Sequence, residues 1–231
     1  MPLLEIACFN AESALIAQAS GADRIELCKE QELGGTTPLL STFKSVKDAL
    51  SIPIYVMIRP HGRDFIYSDD EYRDMEREIE IFTQEGAQGF VFGILRATGA
   101  VDEDRCRGLV LKAQGRPCTF HRAFDEIAQT EMSKQLEVLV EVGFRAVLTS
   151  GGAKKAVEGK ETLKNLVAAA KGRIDVIVGG GVRSSNLERL RQETNGLVFH
   201  SSAIVDVEGG EIASGDEIKL QQHLVSGRHM R

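Results

Sequence analysis

Short hydrophobic runs alternate with longer amphipathic stretches along the whole chain, at intervals of about 29 residues. Each run is almost continuously apolar, which is typical of parallel strands buried on both faces. Each stretch that follows has helical periodicity, so the repeating unit is a strand, a loop and a helix. Eight units favour a closed (β/α)8 TIM-type barrel of the α/β class over an open doubly wound sheet, which would alternate in the same way. The runs are residues 3–8, 24–28, 54–59, 89–95, 117–122, 146–150, 175–179 and 197–200.

Local signals place some of the helix boundaries. Ser68 and Ser185 are each followed three residues later by a glutamate, which is the spacing of a capping box at the start of a helix. No linker rich in proline or serine interrupts the pattern, so residues 1–231 are expected to form a single barrel domain. The segment 203–231 is polar, and we expect it to be weakly structured, with at most a short helix over 216–224.

Composition and charge narrow the class of protein. Hydrophobic residues make up 42% and charged residues 27% of the 231 positions, which suits a chain with a large core. The net charge is −6 and there is no block of basic residues, so a nucleic-acid partner is disfavoured. The N-terminus lacks a basic region leading into an apolar one, and no apolar run is long enough to cross a membrane, so a cytoplasmic location is expected. Four cysteines without CxxC spacing are expected to be reduced thiols.

Polar side chains interrupt the predicted strands near their carboxyl ends. Because side chains alternate along a strand, residues of one parity share a face, and these polar residues can all point into the barrel. In one interpretation they form a satisfied ion pair that fills the interior. In the other they surround a ligand pocket, with Glu5, Glu26 or His121 as acid or base and Arg59 as an anion-binding group. The inward set predicted in this way is Glu5, Glu26, Arg59, His121, Thr149 and His200.

Glycine-rich turns follow the sixth and seventh strands, and the eighth strand ends in His200-Ser201-Ser202. In TIM-type barrels such turns can bind phosphate, because backbone N–H groups approach an anion closely where no Cβ intervenes. Gly180, Gly181 and Ser201, with Thr149 in the similar turn after strand six, are therefore candidates for binding a small anion. The alternative interpretation is that the glycines simply make tight turns between strands and helices.

Cys8 and Cys28 end the first two predicted strands, which are neighbours in a barrel. Two soft thiolates at that separation suit Cu(I). Strand parity opposes this, because Cys28 shares a face with Glu26 whereas Cys8 does not share a face with Glu5. Cysteine is also common as a small buried hydrophobic residue, and the residues alone favour that interpretation.

Characteristic motifs occur in order along residues 4–8, 21–28, 34–38, 58–60, 64–65, 67–69, 119–125, 148–151, 179–182 and 200–202. Taken together, these segments resemble the CutC family of copper homeostasis proteins. The resemblance implies a (β/α) barrel, a cytoplasmic homodimer, and copper handling through Cu(I) bound by Cys8 and Cys28. Asp125, in one of these motifs, is a further candidate acid or base beside Glu5, Glu26 and His121. The C-terminus is shorter than is usual in the family, so the final helix is expected to be short, incomplete or absent, and a partner subunit is expected to cover apolar surface that a missing helix would expose.

Two other functions stay open at this point. One is a TIM-barrel enzyme, a lyase or isomerase, acting on a small anionic or phosphorylated metabolite in a pocket lined by glutamate, arginine and histidine. The other is a divalent-metal site on Glu5, Glu26, His121 and His200, for which no spacing in the sequence is specific. The residues do not decide whether the protein has any enzymatic activity.

Overall fold

The fold is a closed barrel of eight parallel strands, each followed by a helix. A computed structural model describes residues 2–205 and 211–226. The strands are hydrogen-bonded in chain order, and the last pairs with the first to close the barrel. This confirms the predicted TIM-type architecture. The strands are β1 Leu3–Cys8, β2 Arg24–Leu27, β3 Ile54–Met57, β4 Gly89–Phe92, β5 Cys118–Phe120, β6 Ala146–Thr149, β7 Asp175–Val178 and β8 Val198–Ser201.

Eight α-helices in the described part of the chain surround the strands. Short 3-10 helices, Gln31–Leu33 and Arg122–Glu126, lie in the loops after β2 and β5. Within residues 2–205 and 211–226, no helix has the length and apolar character needed to cross a membrane. The helices are α1 Ala11–Ala19, α2 Leu40–Val46, α3 Asp69–Gln84, α4 Glu103–Lys112, α5 Met132–Val142, α6 Lys160–Ala170, α7 Ser184–Thr194 and α8 Gly215–Ser226.

Alternation along the strands divides the buried side chains into two sets. The outward-facing set packs against the helices in one large hydrophobic core. The inward-facing apolar side chains form two small clusters, one around Tyr55, Met57 and Val91 and the other around Leu148 and Ile177. The remaining interior positions are therefore left for polar residues.

The inward orientation predicted for Thr149 is wrong. Leu148 faces the interior, whereas Val147 packs into the outer core and the Thr149 hydroxyl bonds to Asp125 at 2.5 Å. The strand reads Ala-Val-Leu-Thr, and its only polar residue is satisfied by a loop outside the barrel. The sequence of β6 therefore carries no polar alternation that would mark its inner face.

The final helix is present over Gly215–Ser226, so the alternative in which this helix is absent is wrong. Helix α8 includes the predicted 216–224 segment and packs against α1, α7 and β1. Ile218, Gln221 and Val225 are its buried residues, and they are enough to hold it in place. The rest of the segment expected to be weakly structured, residues 206–210 and 227–231, lies outside the described residues.

Of the two predicted capping boxes, one is confirmed and one is wrong. Ser68 caps α3, with its side chain and that of Glu71 bonded reciprocally to the backbone. Helix α7 begins earlier than predicted, at Ser184, and it is Asn186 that accepts the backbone N–H of Arg183 at 2.9 Å. Ser185 therefore lies inside the first turn.

Candidate functional site

Glu5 is the central acid of the barrel interior. It lies opposite Arg24 on β2 and opposite His200 on β8 in the strand registers. Its Oε2 accepts Arg24 Nε at 2.5 Å, and its Oε1 lies 2.8 Å from His200 Nδ1. Burial alone raises the pKa of Glu5, but the positive Arg24 and the hydrogen bond from His200 outweigh burial and lower that pKa to about 2. Glu5 is therefore an ionised, fully bonded carboxylate.

Glu26 lies beside this network but is not part of its bonding. Glu26 is only 3% exposed, and its Oε2 has no hydrogen-bond partner among the residues that the structure describes. Burial, with the negative charge of Glu5, raises the pKa of Glu26 to about 7 against the attraction of His200 and Arg24. The two interior glutamates thus differ in protonation because their surroundings differ.

A metal ion could in principle use Glu5, Glu26 and His200, since each offers a ligand atom within 4.8 Å of the others. Both Glu5 oxygens are already bonded to Arg24 and His200, so a cation would have to displace these partners. His121, which was included in the predicted set of metal ligands, does not belong to this cluster.

His121 follows β5 at the mouth of the barrel and is 3% exposed. Its Nδ1 accepts the backbone N–H of Ala123 at 3.3 Å, so the ring proton lies on Nε2. Nε2 has no partner within the described residues. Burial, helped by the positive charge of Arg59, lowers the pKa of His121 to about 3. The ring is therefore a neutral hydrogen-bond donor.

Arg59 follows β3 and is 5% exposed. One guanidinium nitrogen donates to the carbonyls of Leu33 at 2.8 Å and Gly35 at 2.9 Å, and the other donates to Arg63 at 3.3 Å. Its Nε has no hydrogen-bond partner, and no carboxylate of the described chain lies within ion-pair distance. The side chain is thus held by neutral carbonyls and keeps an uncompensated positive charge.

A cavity of about 110 Å³ opens at the carboxyl ends of the strands and brings several predicted residues together. TIM-type barrels carry their sites at this end. Glu5 is not among the lining residues, and neither is Thr149. The predicted convergence therefore holds for most of the polar set. The polar and aromatic lining includes Glu26, Arg59, Phe65, His121, Arg122 and His200.

Asp125 lies outside this cavity and organises the loop after β6. Its carboxylate accepts the hydroxyls of Thr149 and Ser150 and the backbone N–H groups of Ser150 and Gly152, at 2.5 to 3.1 Å. Arg122 Nε adds an ion pair at 2.8 Å. The structure therefore gives Asp125 a positioning role in the loop.

The glycine-rich turn after β7 packs closely against neighbouring loops, and the helix that follows it is bonded to a protein carboxylate. Gly180 has a positive φ of 95°, and an added Cβ there would lie 2.9 Å from Ser150 Cβ, so glycine permits a close approach of two loops. Gly181 also has a positive φ, of 74°. At the start of α7, the N–H and hydroxyl of Ser184 bond to the Glu217 carboxylate at 2.6 and 2.7 Å. A protein carboxylate thus occupies the end of the helix that would otherwise attract an anion.

Ser201 does not line the cavity. Its hydroxyl donates to the Val182 carbonyl at 2.9 Å and accepts Gln221 Nε2 at 3.1 Å. It therefore ties β8 to the loop after β7 and to α8.

The two predicted copper ligands, Cys8 and Cys28, point to opposite faces of the barrel sheet. Cys8 packs in the outer core, whereas Cys28 packs inside the barrel with Met57. The backbone N–H of Cys28 donates to the Cys8 carbonyl at 3.0 Å, so the residues are adjacent although their thiols face opposite sides. Burial raises the pKa of both thiols, and the negative Glu26 adds to this.

Sequence reasoning missed Arg24 and Phe65. Arg24 has the same strand parity as Glu26, which could have placed it in the interior. Phe65 lies in a loop, where no periodicity marks its direction. In the structure its ring contacts the Arg59 guanidinium, 4.7 Å from the ring centre, and the His121 ring, with ring centres 4.9 Å apart.

A closed parallel barrel with ionisable groups at the carboxyl ends of its strands defines a TIM-type barrel with an interior polar site. Comparison with known proteins narrows this class: residues 2–205 match the family model described as the CutC family. The chain belongs to the CutC family, as its sequence motifs indicated.

Individual relatives agree with this assignment. The human copper homeostasis protein cutC homolog is 43% identical over 201 residues, covering 87% of this chain and 73% of that protein. A CutC family protein of Histophilus somni is 46% identical over 200 residues, covering 87% of this chain and 82% of that protein. A solved structure of CutC from Streptococcus agalactiae matches with a TM-score of 0.84 at 33% identity, covering 87% of this chain and 99% of that one.

Enzymes with this architecture are more distant. Phosphoribosylanthranilate isomerase from Thermotoga maritima matches with a TM-score of 0.62 at 14% identity, covering 99% of this chain and 100% of that one. That likeness shows a shared fold alone. The comparisons therefore do not favour the alternative of a lyase or isomerase acting on a phosphorylated metabolite.

Proposed function

We propose that this protein contributes to copper homeostasis by binding Cu(I) as its cargo, with Cys28 as the central ligand. Membership of the CutC family supports the link to copper, since relatives in this family are named copper homeostasis proteins. The observation that carries the choice of residue is the packing of Cys28 against Met57 inside the barrel.

The two sulfur side chains converge on one point beside the loop after β2. A Cβ added at Gly35 would lie 3.5 Å from Cys28 Sγ and 3.6 Å from the Met57 methyl carbon. Thiolate and thioether sulfur are the donors that Cu(I) prefers. Met57 also lines the cavity, which gives an ion a path from the mouth of the barrel to the sulfur atoms.

Cys8, the second ligand implied by the family resemblance, has a different relation to the interior. Its thiol lies in the outer core, but its carbonyl accepts the Cys28 N–H at 3.0 Å and lies 3.6 Å from Cys28 Sγ. We therefore propose that Cys8 supports the position of Cys28 through its backbone. Its thiol stays a second candidate ligand that the binding experiment can test directly.

Binding requires Cys28 to lose its proton. Burial, then the negative charge of Glu26, raises the pKa of the Cys28 thiol well above its usual value. Cu(I) must therefore displace a proton, and the affinity should increase with pH.

The test is anaerobic competition for Cu(I) between the protein and a chromophoric Cu(I) chelator. The parent should remove copper from the chelator with saturation, and Cys28→Ser should abolish this. Met57→Leu keeps the shape of the side chain without its sulfur and should weaken binding. Cys118→Ser is the matched control, because Cys118 is another buried free thiol in the outer core.

The outcomes of this competition separate the assignments. Cu(I) binding by Cys28→Ser as tight as that of the parent would contradict the proposal. Loss of binding in Cys8→Ser, with a backbone that is unchanged by circular dichroism, would show that the Cys8 thiol is itself a ligand.

We also propose a cytoplasmic location and a homodimer. Four free cysteines support a reducing compartment. The family resemblance supports the dimer. Fractionation of cells and sedimentation of the purified protein test these two proposals separately.

A further inference from the structure

Within the described part of the chain, three buried polar atoms without hydrogen-bond partners belong to residues that line the same cavity. They are Glu26 Oε2, Arg59 Nε and His121 Nε2. Buried polar groups in proteins are almost always bonded, so a cluster of unbonded ones at a barrel mouth indicates a ligand that completes them. The copper proposal uses none of these three atoms.

Both donors belong to side chains that contact Phe65, the aromatic residue of the loop after β3. Arg59 and His121 both contact Phe65, at 4.7 and 4.9 Å from the ring centre. Arg59 adds a positive charge that no carboxylate of the described residues neutralises at ion-pair distance. Two N–H donors beside an uncompensated cation suit an anionic oxygen, such as that of a carboxylate.

The third unbonded atom, Glu26 Oε2, is an acceptor and not a donor. Glu26 Oε2 is an acceptor when the carboxyl is ionised, so it needs a donor such as a hydroxyl group. A ligand that satisfies all three residues therefore carries an anionic group at one end and a hydroxyl group at the other. Inorganic phosphate also has P–OH donors, but its hydroxyl and anionic oxygens share one compact tetrahedron and do not form two separate ends, so we expect phosphate to bind more weakly than glycolate.

The size of the cavity limits the ligand further. Its volume is about 110 Å³. A cavity of about 150 Å³ in another protein holds the six carbon atoms of a benzene molecule, so the space here suits roughly four or five non-hydrogen atoms. Glycolate is of about this size and has both end groups.

We propose that this cavity is a binding site for a small 2-hydroxycarboxylate, with the carboxylate on Arg59 and His121 and the hydroxyl donating to Glu26. Phe65 forms the apolar wall beside the carboxylate. Met57 lines the same cavity, but the hydroxycarboxylate site uses two N–H donors and a carboxylate, whereas the proposed copper site uses sulfur donors.

The first test is calorimetric titration of the metal-free protein with glycolate, acetate, glycolamide and inorganic phosphate. Glycolate should bind with saturation. Acetate, which lacks the hydroxyl, should bind about tenfold more weakly, and glycolamide, which lacks the charge, should show no saturable binding. Absence of saturable glycolate binding, or binding of glycolamide or phosphate as tight as that of glycolate, would overturn the proposal.

Variants then assign the ends of the ligand. Arg59→Gln should abolish glycolate binding, whereas Arg96→Gln should not, since Arg96 lies after β4 on the same end of the barrel but does not line the cavity. Glu26→Leu should reduce the affinity for glycolate to that for acetate. Retention of the parent's preference for glycolate in Glu26→Leu would overturn the role of Glu26, and it remains measurable if Arg59→Gln fails to fold. Because no copper is present, these results stand whether or not the protein binds Cu(I).

Discussion

Glu5 and His200 are 195 residues apart in the chain, yet Glu5 Oε1 lies 2.8 Å from His200 Nδ1. The contact crosses the junction of β1 and β8, where the barrel closes. On its other oxygen Glu5 holds Arg24, whose guanidinium lies 4.2 Å from the centre of the Tyr55 ring. One carboxylate therefore bonds to side chains from two different strands, the guanidinium of Arg24 and the imidazole of His200.

Replacement of this acid should destabilise the fold. Glu5→Gln keeps the shape of the side chain but leaves Arg24 and His200 without their anion in the interior. Removing one member of a buried ion pair costs about 3–5 kcal/mol. Urea denaturation should show this loss, whereas Glu141→Gln, at an exposed position of α5, should change the free energy of unfolding by less than about 0.5 kcal/mol. Equal effects of the two variants would contradict the role of Glu5.

Glu26→Gln should increase the free energy of unfolding, whereas Glu5→Gln should decrease it. Glu26 is buried with an unpartnered oxygen, and its pKa is raised to about 7, so above that pH the fold contains a poorly compensated negative charge. Glu26→Gln removes the charge and should stabilise the metal-free protein by about 1–3 kcal/mol at alkaline pH. Thermal melts of parent and variant check this. A melting temperature that falls on substitution would show that the charge of Glu26 is compensated.

A fall in pH should destabilise the fold, because His121 binds a proton more readily in the unfolded chain than in the folded protein. The unfolded chain takes up a proton on this residue near pH 6.5, whereas its pKa in the fold is about 3. Between these values protons favour the unfolded state, so this contribution to stability is present above about pH 6.5 and is lost as the pH falls. Relative to His121→Gln, which cannot titrate, the parent should lose about 2 kcal/mol of unfolding free energy between about pH 7 and pH 5. Denaturation curves at several pH values measure the difference, and a constant difference would contradict the buried neutral imidazole.

Asp125 should be needed for the loop after β6. Asp125→Asn replaces one acceptor oxygen with an amide that cannot accept the N–H groups or hydroxyls it now serves. Hydrogen bonds to a charged acceptor contribute about 1.5–3 kcal/mol each, so a loss of at least about 1.5 kcal/mol is expected. Hydrogen exchange of the Ser150 and Gly152 amides should accelerate in the variant.

The comparison for Asp125 is Asp74→Asn. Asp74 forms one exposed ion pair with Arg77 on α3. Exposed pairs contribute little, so this variant should leave both stability and the exchange of the two amides nearly unchanged. An Asp125→Asn protein that behaves in the same way would show that the loop is held by other contacts.

The sequence predicted the barrel because its strands are buried on both faces. Continuous apolar runs mark such strands, and eight of them can close. The inward directions of Glu26, Arg59 and His121 followed from strand parity, since the polar residues of those runs stand out against apolar neighbours. The pairing of Glu5 with Arg24 could not be predicted in this way, because it depends on the register between β1 and β2.

Other features depend on contacts far apart in the chain. Helix α8 is mostly polar, and only its packing against β1 and α1 shows that three buried residues are enough to hold it. The positioning role of Asp125 could not be predicted from the sequence, because it depends on hydrogen bonds to the loop after β6. The cavity is likewise a product of several loops, and Phe65 joins Arg59 to His121 through contacts that no local pattern encodes.

The closing junction between the first and last strands also sets an order for biosynthesis. A ribosome delivers β1 and β2 early, so Glu5 and Arg24 can meet long before His200 has been translated. The growing chain therefore carries an open edge on β1 until β8 emerges, and only then does helix α8 arrive to cover the same junction. An interruption of translation before residue 198 would leave that edge available to other chains, so we expect the nascent protein to depend on protection from such contacts late in its synthesis.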